Sequence, residues 1–130
     1  MKKDPRTYNI LVVDDDEFTT ALISHRIEKE PFRLRVEHDP FQAYLQIQQE
    51  APDLLLLDIL FPDLSGLELL NLIRHQLLLY HLPVILISSL EAGELHRSPQ
   101  ELGADDFLAK PIDLELMMKK IVFFLPPRRD

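Results

Sequence analysis

The chain alternates short apolar blocks with longer amphipathic stretches about five times over its length, and few folds accept that rhythm. The first block, Tyr8–Val13, is rich in β-formers and reads as a buried strand. Phe32–Glu37 alternates strictly, as an edge strand with one wet face would. Residues 54–57 are four leucines between Pro52-Asp53 and Asp58. Leucine is a weak β-former, so length and flanks make this a strand. Residues 83–87 form the cleanest strand pattern, and Asp106–Ala109 the shortest.

Helical spacing fills the intervals. Phe18, Leu22, Ile23 and Ile27 predict a helix that ends before Pro31, because proline disfavours α geometry in the residue before it. Asp39-Pro40 supplies a cap and a first-turn proline ahead of Phe41, Tyr44, Leu45 and Ile47. Ser65 and Glu68 have capping-box spacing ahead of Leu67, Leu70, Ile73 and Leu77. A last helix over residues 112–125 is capped by Asp113 and aligns Leu114, Met117, Ile121 and Leu125. Strand–helix alternation of this kind predicts an α/β domain: a mostly parallel sheet with helices on both faces, since crossovers are right-handed. At 130 residues one domain is expected, over residues 1–125, with 126–130 as a tail or the start of a linker.

Composition removes several function classes. Fourteen basic against twenty-two acidic residues leave a net charge of −8, which argues against direct binding of nucleic acid. The absence of cysteine excludes thiolate zinc sites and cysteine nucleophiles. Three glycines (Gly66, Gly93 and Gly103) cannot write a dinucleotide fingerprint or a P-loop. The five histidines form no H-x-x-x-H pair, so no zinc site is expected. No apolar run suits a membrane span and no signal peptide is visible, so a cytoplasmic location without a membrane partner is expected.

Ligands of open parallel sheets bind beyond the carboxyl ends of the strands. Asp14, Asp15 and Asp16 follow the first strand, Asp58 ends the third, Ser88 and Ser89 end the fourth, and Lys110-Pro111 follows the fifth. Each alone has an ordinary structural reading as a cap, a turn residue or a solvated charge. Together they describe carboxylates that need a cation, with a hydroxyl and a lysine beside them. All the donors are oxygens, so a hard cation such as Mg²⁺ fits, and carboxylates do form aspartyl phosphates.

These residues resemble the receiver domains of two-component response regulators. The resemblance runs through Ile10-Leu11-Val12-Val13-Asp14-Asp15, Pro52-Asp53 to Asp58, Phe61-Pro62-Asp63-Leu64-Ser65-Gly66, Pro83 to Ser88 and Gly103 to Pro111. It implies a three-layer (βα)5 flavodoxin-like, doubly wound sheet of order 2-1-3-4-5. It implies that Asp58 accepts phosphate from a histidine kinase or a histidine phosphotransfer protein. Asp14, Asp15, Asp58 and the backbone carbonyl of Leu60 would hold Mg²⁺, Lys110 and Ser88 would contact the phosphoryl group, and Phe107 would be the aromatic switch. The partner downstream would be an effector protein or an output domain, with a phosphorylation-dependent homodimer among the outcomes.

Some residues depart from the family pattern. Glu91 to Leu102 contains Gly93 and Pro99, so residues 90–97 should be irregular or poorly helical, with regular helix starting late at a Ser98–Glu101 cap. Leu60 and Leu90 stand where the family gates water, and two apolar side chains there imply slow self-dephosphorylation. Residues 77–80 and 123–125 are more apolar than a one-sided helix needs, as core or as a partner contact. Two alternatives share the same residues: a degenerate receiver acting as a docking module, and a small aspartyl-phosphate phosphatase. The phosphatase would need a second acid at the position that Leu60 holds.

Overall fold

The structure, a computed structural model, describes residues 7–59, 65–89 and 97–127. In chain order it contains β1 (Tyr8–Val13), α1 (Glu17–Ile27), β2 (Phe32–Glu37), α2 (Pro40–Gln49), β3 (Leu54–Asp58), α3 (Gly66–His75), β4 (Val84–Ser88), β5 (Asp106–Ala109) and α4 (Leu114–Phe124). The five strands form one sheet in the order β2-β1-β3-β4-β5, and every neighbouring pair is parallel. This is the doubly wound fold expected, with β2 at one edge.

Successive residues of a strand point to opposite faces, so each central strand feeds two cores. Leu11, Val13, Leu55, Leu57 and Leu86 pack with α2 and α3 through Ala43, Ile47, Leu70 and Ile73. Ile10, Val12, Leu54, Leu56, Ile85 and Ile87 pack with α1 and α4 through Ile23, Ile27, Met117 and Ile121. The four leucines 54–57 are all fully buried, two to each core. Full burial of one such side chain stabilises the fold by about 1.5–3 kcal/mol, which overrides leucine's weak strand preference.

The expected caps form. Asp39 accepts from Phe41 N–H at 2.9 Å, Ser65 from Glu68 N–H at 3.1 Å, and Asp113 from Leu116 N–H at 3.0 Å. Two helix faces differ from expectation. In α1 the inward residues are Thr19, Thr20, Ile23 and Ile27, while Phe18 is 72% exposed. The Asp16 cap sets this rotation: its side chain accepts from Phe18 N–H at 3.0 Å and from Thr19 Oγ1 at 2.6 Å, turning the threonines inward. In α2 the residues Pro40, Ala43 and Ile47 face the sheet, and Phe41 and Leu45 face outward.

The late helix expected at Ser98 is a single turn. The capping box forms, with Glu101 N–H on Ser98 Oγ at 3.2 Å and Ser98 Oγ on Glu101 Oε1 at 3.2 Å. The turn then closes on Gly103 at φ 95°, and Ala104 N–H bonds back to Pro99 O at 2.9 Å. The chain has no room for more helix, because Asp105 N–H must already meet Val84 O at 2.8 Å, at the start of β4. Of the stretch 90–97, only Arg97 lies within the described residues.

Candidate functional site

Parallel pairing brings the carboxyl ends of the strands to one edge of the sheet, and register decides which residues meet there. Val13 pairs with Leu57, so Asp14 and Asp58 stand side by side one step further on. Ser88 pairs with Ala109, and Lys110 N–H then bonds Ser88 O at 2.8 Å. Asp14 N–H is held by Glu37 O at 3.1 Å, and Asp14 Oδ1 accepts from Asp16 N–H at 2.9 Å. The backbone therefore fixes the place of each side chain.

Asp14, Asp58 and Ser88 are buried, and Asp15 is exposed. Lys110 Nζ lies 2.9 Å from Asp14 Oδ2 and 3.2 Å from Asp58 Oδ2. Both contacts are ion pairs, and the one to Asp58 is also a hydrogen bond. Burial acts to lower the Lys110 pKa and is the largest single influence. The two carboxylates together outweigh it, and the ammonium is held above its ordinary value. Asp16 is a different kind of acid: its cap bond from Thr19 lowers its pKa, and it serves the helix.

Asp14, Asp15 and Asp58 each offer one oxygen, all within 4.8 Å of one another. The diameter of a Mg²⁺–oxygen octahedron is about 4.1 Å, so a slight contraction or a bridging water brings the set around one ion. Asp14 Oδ2 is buried, and its partner among the described residues is the Lys110 ammonium at 2.9 Å. The donor set therefore fits a hard divalent cation. Leu60, whose carbonyl was expected to join it, and Leu90 lie outside the described residues. Phe107 is half-buried on β5 against the α2–α3 core, opposite Leu86 in register. Leu86 lies two residues before Ser88, on the same face of the sheet.

Sequence reasoning missed two supports of the site. A Cβ on Gly66 would lie 2.0 Å from the Asp58 carbonyl oxygen, so α3 starts directly against the backbone of Asp58. Glu37 braces the neighbouring loop, accepting from the N–H groups of His38 and Asp39 at 3.0 Å each. The Ser65-Gly66 pair carried a signal for the first, read only as a cap; the second needs the β2 end to be seen in place.

Comparison with known proteins decides the family. Residues 10–122 match the family model described as "Response regulator receiver domain". The chain belongs to the response regulator receiver domain family. The transcriptional regulatory protein CpxR of Escherichia coli K12 is 40% identical over 112 residues, covering 85% of this chain and 46% of CpxR. The alkaline phosphatase synthesis transcriptional regulatory protein PhoP of Bacillus subtilis is 32% identical over 102 residues, covering 78% of this chain and 42% of PhoP. The receiver thus spans about half the length of these curated relatives. Its fold superposes on the chemotaxis response regulator CheY4 of Vibrio cholerae with a TM-score of 0.83 at 22% identity, covering 92% of this chain and 99% of that one. NtrX of Brucella abortus matches with a TM-score of 0.81 at 32% identity, over 92% of this receiver and 27% of NtrX.

Proposed function

We propose that this receiver accepts a phosphoryl group on Asp58 from a histidine kinase or a histidine phosphotransfer protein, with Mg²⁺ held by Asp14, Asp15 and Asp58. The observation that carries the reading is Lys110 bridging Asp14 and Asp58, two buried carboxylates from the ends of different strands. A structural ion pair would need one carboxylate; two buried acids on one ammonium leave surplus negative charge that a cation would balance.

In the transfer, an Asp58 oxygen attacks the phosphorus of a phosphoimidazole. The new P–O bond forms as the P–N bond breaks, and the electron pair leaves on the imidazole nitrogen, which takes a proton. Lys110 already touches the Asp58 oxygen and would follow the charge onto the phosphoryl oxygens. When bound, Mg²⁺ would neutralise the carboxylates and share the charge of the phosphoryl oxygens. Ser88 would donate its hydroxyl to the new group, and Phe107 would turn inward as Ser88 moves. One added charge would thereby bias a two-state surface.

The proposed receiver spans residues 1–125, with 126–130 as a tail or the start of a linker. Among the described residues no helix is long and apolar enough to cross a membrane. We take the setting as cytoplasmic and the output as an effector protein or a further domain, as the transcriptional regulators among the relatives suggest. Leu60 and Leu90 should slow self-dephosphorylation, so the label should outlast seconds in purified protein.

The test is incubation with Mg²⁺ and a small phosphodonor, with Asp58→Asn as control. Stable one-to-one labelling that the variant loses supports the reading. Continuous phosphate release would indicate the phosphatase, and no labelling the docking module.

A further inference from the structure

Asp14 stands one residue beyond Val13, which lies opposite Glu37 on one side and Leu57 on the other. Its N–H carries the ladder one step further, onto Glu37 O at 3.1 Å. The half-buried side chain of Glu37 makes a second set of bonds. Its Oε2 accepts the N–H groups of His38 and Asp39 at 3.0 Å each, and its Oε1 accepts from Gln46 Nε2 on α2. The two residues it gathers are themselves fastened. His38 Nε2 lies 3.4 Å from Thr20 Oγ1 on α1, and Asp39 caps α2 through Phe41 N–H at 2.9 Å. N–H bonds to a carboxylate are stronger than neutral ones, so this side chain fixes where the chain turns after β2. The turn sets the direction of the Glu37 carbonyl, and that carbonyl holds Asp14.

We infer that Glu37 is a positioning residue for the acid cluster: its carboxylate ties α2 to Asp14 through the turn, and the affinity of the cluster for Mg²⁺ depends on that tie. The inference rests on the proposed reading of Asp14, Asp15 and Asp58 as the Mg²⁺ acids. Mg²⁺ demands near-ideal octahedral geometry, so it tolerates a misplaced ligand poorly. The three oxygens already lie within 4.8 Å of one another, and a small displacement of Asp14 would open the set. Removing a group that orients a metal ligand typically lowers affinity about 10–100-fold. Glu37 acts on the backbone of Asp14 and not on its oxygens, which places the effect at the lower end, about tenfold. Position and charge are separable by substitution. Glu37→Gln keeps one oxygen for the two backbone N–H groups, and its amide can meet the Gln46 side-chain oxygen once that amide flips. It loses the charge and keeps the tie, whereas Glu37→Ala loses both.

The experiment is an NMR titration of the isotope-labelled chain with Mg²⁺, followed through the amide signals of Asp14 and Asp15, with urea unfolding of each variant alongside. The dissociation constant should rise about tenfold in Glu37→Ala. It should rise by a smaller factor in Gln46→Ala and stay close to the parent's in Glu37→Gln. Gln48→Ala, at an exposed position of α2, should leave it unchanged. A clamp that serves stability alone would lower the urea midpoint of Glu37→Ala and leave its Mg²⁺ affinity at the parent's value, which overturns the inference and spares the proposed function. Glu37→Gln weakening Mg²⁺ as much as Glu37→Ala also overturns it, since charge and not position would then be the cause. A parent chain that binds no Mg²⁺ overturns the inference together with the proposed function. Gln46→Ala carries the same test should Glu37→Ala not fold.

Discussion

Replacing Gly66 by alanine tests the join between fold and site. The new Cβ would meet Asp58 O at 2.0 Å, Ile59 Cα at 2.7 Å and Asp58 C at 2.9 Å. Ordinary contact begins at 3.4 Å, so helix and strand end must separate by about 3.4 − 2.0 = 1.4 Å. All three obstacles are backbone atoms, which cannot swing aside as a side chain could. Overpacking typically costs about 1–3 kcal/mol, and a clash with backbone belongs at the upper end, near 3 kcal/mol. With a urea slope of about 1–3 kcal/mol/M, the unfolding midpoint should fall by roughly 1–3 M. The strain also falls on the residue whose carboxylate touches Lys110 at 3.2 Å. A displacement near 1 Å can slow a positioned reaction by about 100-fold, so labelling by a small phosphodonor should slow by one to two orders of magnitude. Gly103→Ala is the control. Its Cβ would meet nothing closer than 3.9 Å, but φ is +95°, so it costs backbone strain of about 1–2 kcal/mol and spares labelling. Gly66→Ala with unchanged urea midpoint and unchanged labelling would refute the close approach of α3 to Asp58.

Further predictions concern stability and charge. Arg74 donates to Gly103 O at 2.9 Å, Leu79 O at 2.6 Å and Leu82 O at 2.8 Å, and burial lowers its pKa. Arg74→Met strands three carbonyls and should cost about 3–5 kcal/mol in urea unfolding, a loss Arg74→Lys should not restore; a cost below about 1 kcal/mol would contradict it. Leu78 sits at φ 58° with its side chain mostly exposed, so Leu78→Gly should stabilise by about 0.5–1 kcal/mol, and destabilisation would argue against that backbone. The Lys110 pKa is raised above 10.5 on folding, so its contribution is complete below pH 10.5 and disappears as pH rises through the folded value. The stability gap between the parent chain and Lys110→Met should therefore be constant from pH 7 to 10 and close above that; a gap that closes below pH 9 would contradict the pairing.

Most of the fold was legible because its signals are local. Caps at Asp39, Ser65 and Asp113, prolines at 31 and 52, and apolar blocks of strand length mark the elements without reference to distant residues. The placing of the candidate residues was legible because a parallel sheet delivers every strand end to one edge, so chain order was enough to set Asp14, Asp58 and Lys110 together and Ser88 at a neighbouring strand end. What stayed hidden depends on contacts across the chain. The outward turn of Phe18 follows from a side-chain cap that rotates α1. Arg74 fastens three loop carbonyls that only the fold assembles, so nothing in its sequence neighbourhood marks it. The Ser98 cap was read correctly, but the length of the helix behind it is limited by the distance back to β4, which no local pattern encodes.

The central claim is that Asp58 is the phosphoryl acceptor. Its most direct test is borohydride trapping of the acyl phosphate after treatment with Mg²⁺ and a phosphodonor, followed by peptide mapping. The account predicts reduction at Asp58 alone, dependent on Mg²⁺ and abolished when Asp14 and Asp15 are both changed to alanine. Trapping at any other residue, or labelling of Asp58 indifferent to Mg²⁺ and to both acids, would contradict it.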